Sequence, residues 1–97
     1  VNFSQLNKAF ESRVRLGIMA LLMVEDSVDY NTLKEALEVT DGNLASHIKA
    51  LEKEAYIRVE KSFLSKKPHT RYATTPLGRT EFERHLKALE ELLRKVG

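Results

Sequence analysis

The chain has 97 residues, 42% hydrophobic and 31% charged, which suits one small domain with one core. Its formal net charge is +2 and it has no cysteine, so disulfide staples, thiolate metal sites and a cysteine nucleophile are excluded. No apolar run approaches the roughly 20 residues of a membrane span, and the start lacks the basic-then-apolar pattern of a signal peptide, so a cytoplasmic protein without membrane contact is expected.

In chain order, "FSQLNKAF" places Phe3, Leu6 and Phe10 on one helical face. "ESRVRLGIMALLMV" continues as a helix, apolar nearly all round and therefore buried on more than one side. A short extended piece, Val28 to Tyr30, follows. Asn31 then caps a helix through Leu37, with Leu33, Ala36 and Leu37 facing inward. "VTDG" breaks that helix, and Thr40 or Asp41 caps the next, over about 41–54. "YIRVEKSFL" alternates as a half-buried strand, "SKKPH" carries turn chemistry, and "TRYATT" is rich in β-branched and aromatic residues. Together they predict a hairpin over about 56–75. Thr75 caps a long helix, about 76–96, with Pro76 at its first position. Its Phe82, Leu86, Leu89, Leu93 and Val96 repeat at intervals of four and three, a heptad seam. The fold class is mainly α with a small β-hairpin. Two helices joined by a tight turn and followed by a hairpin make one winged helix-turn-helix domain over 1–97.

At about 100° per residue, Leu44, Ile48, Leu51 and Ala55 form the core stripe of helix 41–54. Gly42, Ser46, Lys49 and Lys53 point the opposite way, Asn43 flanks them, and His47 sits at the edge of the core stripe. The outward set is short, polar and basic. Asn and Ser can exchange hydrogen bonds with base edges, and Lys can neutralise phosphate. An amphipathic helix also has an ordinary solvated face, so this composition gains weight from its neighbours. Residues 1–40 carry four basic and six acidic side chains, whereas residues 41–75 carry seven and four. Within 61–71, Lys61, Lys66, Lys67 and Arg71 occur with no acid. A polyanion binder needs such a local patch rather than a high overall charge.

The stretch "GNLASHIKALEKEAYIRVEKSFLSKKPHTRYATTPLGRTEFERHLKAL" resembles the small winged-helix transcriptional regulators of the MarR/ArsR kind, in particular compact bacterial and archaeal ones. The resemblance extends from "SRVRLGIMALL" to the last helix and rests on "NLASHIKALE", "YIRVEK", "KKPHTRY" and "TPLGR". It implies that the segment with Asn43, Ser46, His47 and Lys49 meets DNA and that Lys66, Lys67 and Arg71 lie in the wing. Ala55 departs from the pattern, because many relatives have Gly there.

No nucleophile elbow, phosphate-binding Gly loop or HExxH motif is present, so neither catalysis nor a cofactor is expected. The three histidines have no metal-ligand spacing. His85 flanks the heptad seam and would need a partner chain to hold a metal. The apolar seam needs a cover. It can fold back onto Phe3, Leu6 and Phe10, or pair with a second chain. The terminal helices are therefore expected to form a homodimer interface of Phe3, Leu6, Phe10, Phe82, Leu86, Leu89, Leu92, Leu93 and Val96. The expected partner is double-stranded DNA bearing an imperfect palindrome. Two alternatives remain: a winged helix used as a protein-interaction module, and a ligand-responsive repressor with a pocket at the dimer interface.

Overall fold

The computed structural model describes residues 3–64 and 66–97, apart from the Leu64 side chain, so the Ser65 part of the expected "SKKPH" turn lies outside the described residues. Two 3₁₀ turns, Phe3–Gln5 and Lys8–Phe10, precede α1 (Arg13–Val24), β1 (Val28–Asp29), α2 (Tyr30–Leu37), α3 (Asp41–Lys53), β2 (Ile57–Leu64), β3 (Lys67–Thr74) and α4 (Pro76–Val96). This is a winged helix-turn-helix, mostly helical with a small antiparallel sheet.

The N-terminal segment differs from the helix expected there. Asn7 breaks it. Its side chain accepts from the Ala9 N–H at 2.9 Å and starts a new turn. Ser12 caps α1, whose Val14, Ile18, Met19 and Leu22 are buried, with Leu16, Leu21 and Met23 packed around them. The cap of α2 is Asp29 rather than Asn31. The Asp29 carboxylate accepts from Thr32 N–H at 3.0 Å, and its pKa is lowered first by the Thr32 side-chain hydroxyl and further by that N–H, against the opposing effect of desolvation. Of the three residues expected to face inward from α2, Leu33 is buried and Leu37 half-buried, but Ala36 is exposed. Thr40 caps α3 through Asn43 N–H at 3.2 Å.

The sheet order is β1–β3–β2, antiparallel throughout. β2 ends at Leu64 as the pattern implies, but β3 begins at Lys67, within the expected "SKKPH" turn, with Leu64 paired to Lys67. One core unites Phe10, α1, Leu33, the α3 stripe Leu44, Ile48 and Leu51, Tyr56, Ile57, Tyr72 and Phe82. Phe10 meets Phe82 edge-on at 5.2 Å between ring centroids and Tyr56 at 5.2 Å. Phe10 and Phe82, both expected at a dimer face, are thus spent inside the chain's own core. The N-terminal segment folds back over the first half of α4 and covers them.

Where α4 begins, Thr75 does double duty. Its hydroxyl donates to the Ala55 carbonyl at 2.6 Å and accepts from Gly78 N–H at 2.9 Å. Gly78 packs on the backbone of Tyr56 so closely that a Cβ would collide with the Tyr56 carbonyl. The "TPLG" run therefore fastens α4 to the end of α3 and fixes where α3 points.

Candidate nucleic-acid interface

The α2–α3 turn sets the pose of α3. Glu38 ends α2 in the left-handed region, at φ 52° and ψ 52°. The Tyr30 hydroxyl then donates to the Asp41 carbonyl at 2.9 Å, and Lys34 pairs with the Asp41 carboxylate at 3.0 Å. That ion pair is exposed and contributes at most about 1 kcal/mol. Its larger effect is to offset the acid in the first turn of α3.

With Leu44, Ile48 and Leu51 buried, α3 exposes Gly42, Asn43, Ala45, Ser46, Lys49, Glu52 and Lys53. Gly42 has open space around it. Gly42, Ala45, Ser46 and Lys49 line a shallow cleft of about 510 Å³ with Tyr30, Glu52 and Tyr72. On the other flank, Lys53 and Ala50 line a second cleft with Asn7, Lys8, Arg15 and Glu54. The helix thus stands as a ridge between two hollows, a shape able to enter a groove. The Tyr72 hydroxyl is raised above the usual phenol range by burial, then by Glu52 and Tyr30, so it stays a neutral hydrogen-bonding group beside the ridge.

His47 stands apart. It is half-buried beside Arg15, and burial, reinforced by the Arg15 charge, lowers its pKa. It lies off the ridge, toward α1. Arg71, expected to contact the phosphate backbone, is engaged within the chain. Its Nε donates to Ser27 Oγ at 2.6 Å and its Nη2 to the Ser27 carbonyl at 2.7 Å. Its guanidinium is used to tie β3 to the chain entering β1. Lys66 and Lys67 are exposed at the hairpin end, and Lys66 holds a left-handed φ of 67°.

Three residues at this surface were not singled out from sequence. Ala45 sits on the exposed side of α3, and Tyr30 and Tyr72 wall its cleft. Ala45 was legible in the helical wheel, about 100° from Leu44. The tyrosines were not, because only tertiary packing brings the start of α2, with Tyr30, and β3, with Tyr72, beside α3.

The winged helix DNA-binding domain family matches residues 14–93. An uncharacterized protein of Methanocaldococcus jannaschii is 35% identical over 89 residues, which span 92% of this chain and 97% of that one. The structure of a transcriptional regulator homologue from Pyrococcus horikoshii OT3 superposes with a TM-score of 0.80 at 27% identity, covering 97% of this chain and 98% of the other. A structure from Porphyromonas gingivalis W83 assigned to the MarR family shares the fold, with a TM-score of 0.65 at 22% identity over 90% of this chain and 80% of that one. Among the described residues no helix is long and apolar enough to cross a membrane. With its capped α2–α3 pair, its hairpin and these matches, the chain belongs to the winged helix DNA-binding domain family and has the fold of MarR/ArsR-like transcriptional regulators.

Proposed function

We propose that this chain is a homodimeric transcriptional regulator that binds double-stranded DNA by sequence, with α3 in the major groove and the β2–β3 wing on the backbone or in the minor groove. The observation that carries the reading is the exposed α3 ridge, Gly42, Ser46, Lys49 and Lys53, standing clear between two hollows. Asn43 and Ser46 read base edges, and Lys49, Lys53, Lys66 and Lys67 neutralise phosphates. His47 and Arg71 support from behind, His47 at the base of α3 and Arg71 at the root of the wing. Two such ridges related by a two-fold axis meet successive major grooves about 34 Å apart, which calls for an imperfect palindrome.

Anisotropy of a fluorescent random-sequence duplex, titrated at several salt concentrations, tests this. Binding should weaken steeply as salt rises, because counterions are released on phosphate contact. Lys66→Ala should weaken all sequences alike and reduce the salt slope by about 1. Ser46→Ala should instead change the preferred site in a selection experiment. Absence of binding at low salt would sink the reading.

One observation favours an added effector. An open hollow of about 300 Å³ lined by Leu6, Phe10, Leu16, His85 and Leu89, and by Glu11, Ser12 and Arg13, lies beside the exposed apolar strip of α4. A ligand held there would raise the melting temperature in a thermal-shift screen.

A further inference from the structure

The wing carries a feature that cationic tips do not require. Phe63 is 75% exposed. Side chains of directly paired residues in antiparallel strands share a face, and faces alternate along each strand. Tyr72 pairs with Val28 on one side and Val59 on the other, and this trio belongs to the core face that packs against α3. Two residues outward on the same face Lys61 pairs with Thr70, and two further Phe63 pairs with Pro68. Phe63 and Pro68 therefore stand on the α3 side of the sheet, at the outer end of the wing, beyond the core.

Their surroundings are of one sign. Lys61, Lys66 and Lys67 are exposed, His69 is half-exposed, and no carboxylate occurs from residue 61 to residue 80. A second copy of this surface would meet its own positive charge, which disfavours pairing wing to wing. An aromatic ring ringed by cations suits a polyanion with apolar walls. The DNA minor groove is such a site, since phosphates line its rims and sugars and base edges line its floor.

We propose that Phe63, backed by Pro68, is an apolar wedge that enters the minor groove and packs on sugars and a base step, while Lys66 and Lys67 hold the flanking phosphates. This rests on the DNA-binding reading above. It makes the wing a reader of groove width and step flexibility, because unstacking a step costs least at pliable sequences.

The chain has no tryptophan, so Phe63→Trp places a single fluorescent reporter at the wedge. Its emission should be quenched as a random-sequence duplex is added at low salt. Phe63→Ala should bind about tenfold more weakly, within the range for one aromatic contact to a base, with its salt slope unchanged. Its melting temperature should match wild type, because the ring is mostly in solvent. If wild type binds while the Trp emission stays constant at saturation, or while Phe63→Ala keeps full affinity, the wedge is wrong and the DNA-binding reading stands. If wild type binds no duplex, both fall together.

Discussion

Ala55 sits where the chain must turn left-handed to leave α3, at φ 61°. Tyr56 N–H reaches back to the Leu51 carbonyl at 3.0 Å and Ala55 N–H to that of Glu52 at 2.9 Å, the paired bonds of a Schellman end. A Cβ in this region costs about 1–2 kcal/mol that glycine avoids. Ala55→Gly should therefore stabilise the fold by about 1 kcal/mol and raise the melting temperature by about 4–8 °C for a domain of this size. An unchanged or lowered melting temperature would show that the turn is not strained. His85 makes a second prediction at this scale. It is 3% exposed, and its Nδ1 accepts from the Asn7 N–H at 2.9 Å, so the ring is neutral with its proton on Nε2. Burial lowers its pKa, and the partial opposition of Glu11 does not reverse this. With the folded value below the unfolded one, near 6.5, unfolded chains take up the proton first as pH falls. The contribution of His85 is therefore complete above about 6.5 and is lost below it, down to the folded value. Melting temperatures at intervals from pH 8 to 5 should fall for wild type more steeply than for His85→Gln. Parallel curves would mean that His85 titrates alike in both states.

At the scale of elements, the caps separate what sequence could tell from what it could not. Thr75 was readable because Pro76 follows it at the first helical position, whereas at α3 the sequence left Thr40 or Asp41 and the bond from Asn43 N–H assigns the cap to Thr40. At α2 two capping side chains compete, Asp29 and Asn31, and the winner depends on where β1 releases the chain. Val28 and Asp29 pair with Tyr72 and Arg71, so the strand ends at Asp29 and the helix begins at Tyr30. Asp29→Ala should cost about 1 kcal/mol in urea unfolding, and Asn31→Ala a few tenths at most; the reverse order would return the cap to Asn31. The long helix shows a similar limit. Its heptad spacing was legible, but spacing alone does not say which turns its own chain covers. Asn7 decides that. Besides meeting His85, its Nδ2 donates to the Tyr56 hydroxyl at 3.0 Å, and this holds the N-terminal segment across Phe82 and His85. The candidate site divides the same way. The outward ridge of α3 followed from periodicity, whereas Arg71 turning to Ser27 depends on tertiary hydrogen bonds and the face on which Phe63 stands depends on strand register.

The whole molecule is drawn out, with a radius of gyration of 14.6 Å, against roughly 12.5 Å for a compact chain of this length. The cause lies in α4. Its buried residues, Gly78, Phe82, His85 and Ala88, all fall in the first 13 of its 21 positions. Beyond Ala88, Leu89 and Leu92 are half-buried while Leu93 and Val96 are 67% and 78% exposed. Leu86, on the same side, is 43% exposed, and Phe3, in the 3₁₀ turn that packs on α4, is 64% exposed. Two turns of apolar helix projecting into water are costly for a monomer, and in the proposed homodimer an identical helix related by a two-fold axis would cover them with matching heptad spacing. Leu93 makes the test clean, because it lies beyond the chain's own core. Leu93→Glu should leave the helical content of the fold intact and convert a dimer into a monomer in sedimentation equilibrium. The melting temperature of wild type should rise with concentration, and that of the variant should not. Each monomer carries one ridge and one wing, so on the proposed reading losing the partner would remove half the phosphate contacts. The salt slope of random-duplex binding should then fall to about half, and preference for a two-fold site should vanish while preference for a single half-site persists. A wild-type chain that sediments as a monomer at the concentrations where it binds DNA would remove the two-fold arrangement, and the exposed end of α4 would then need a different partner.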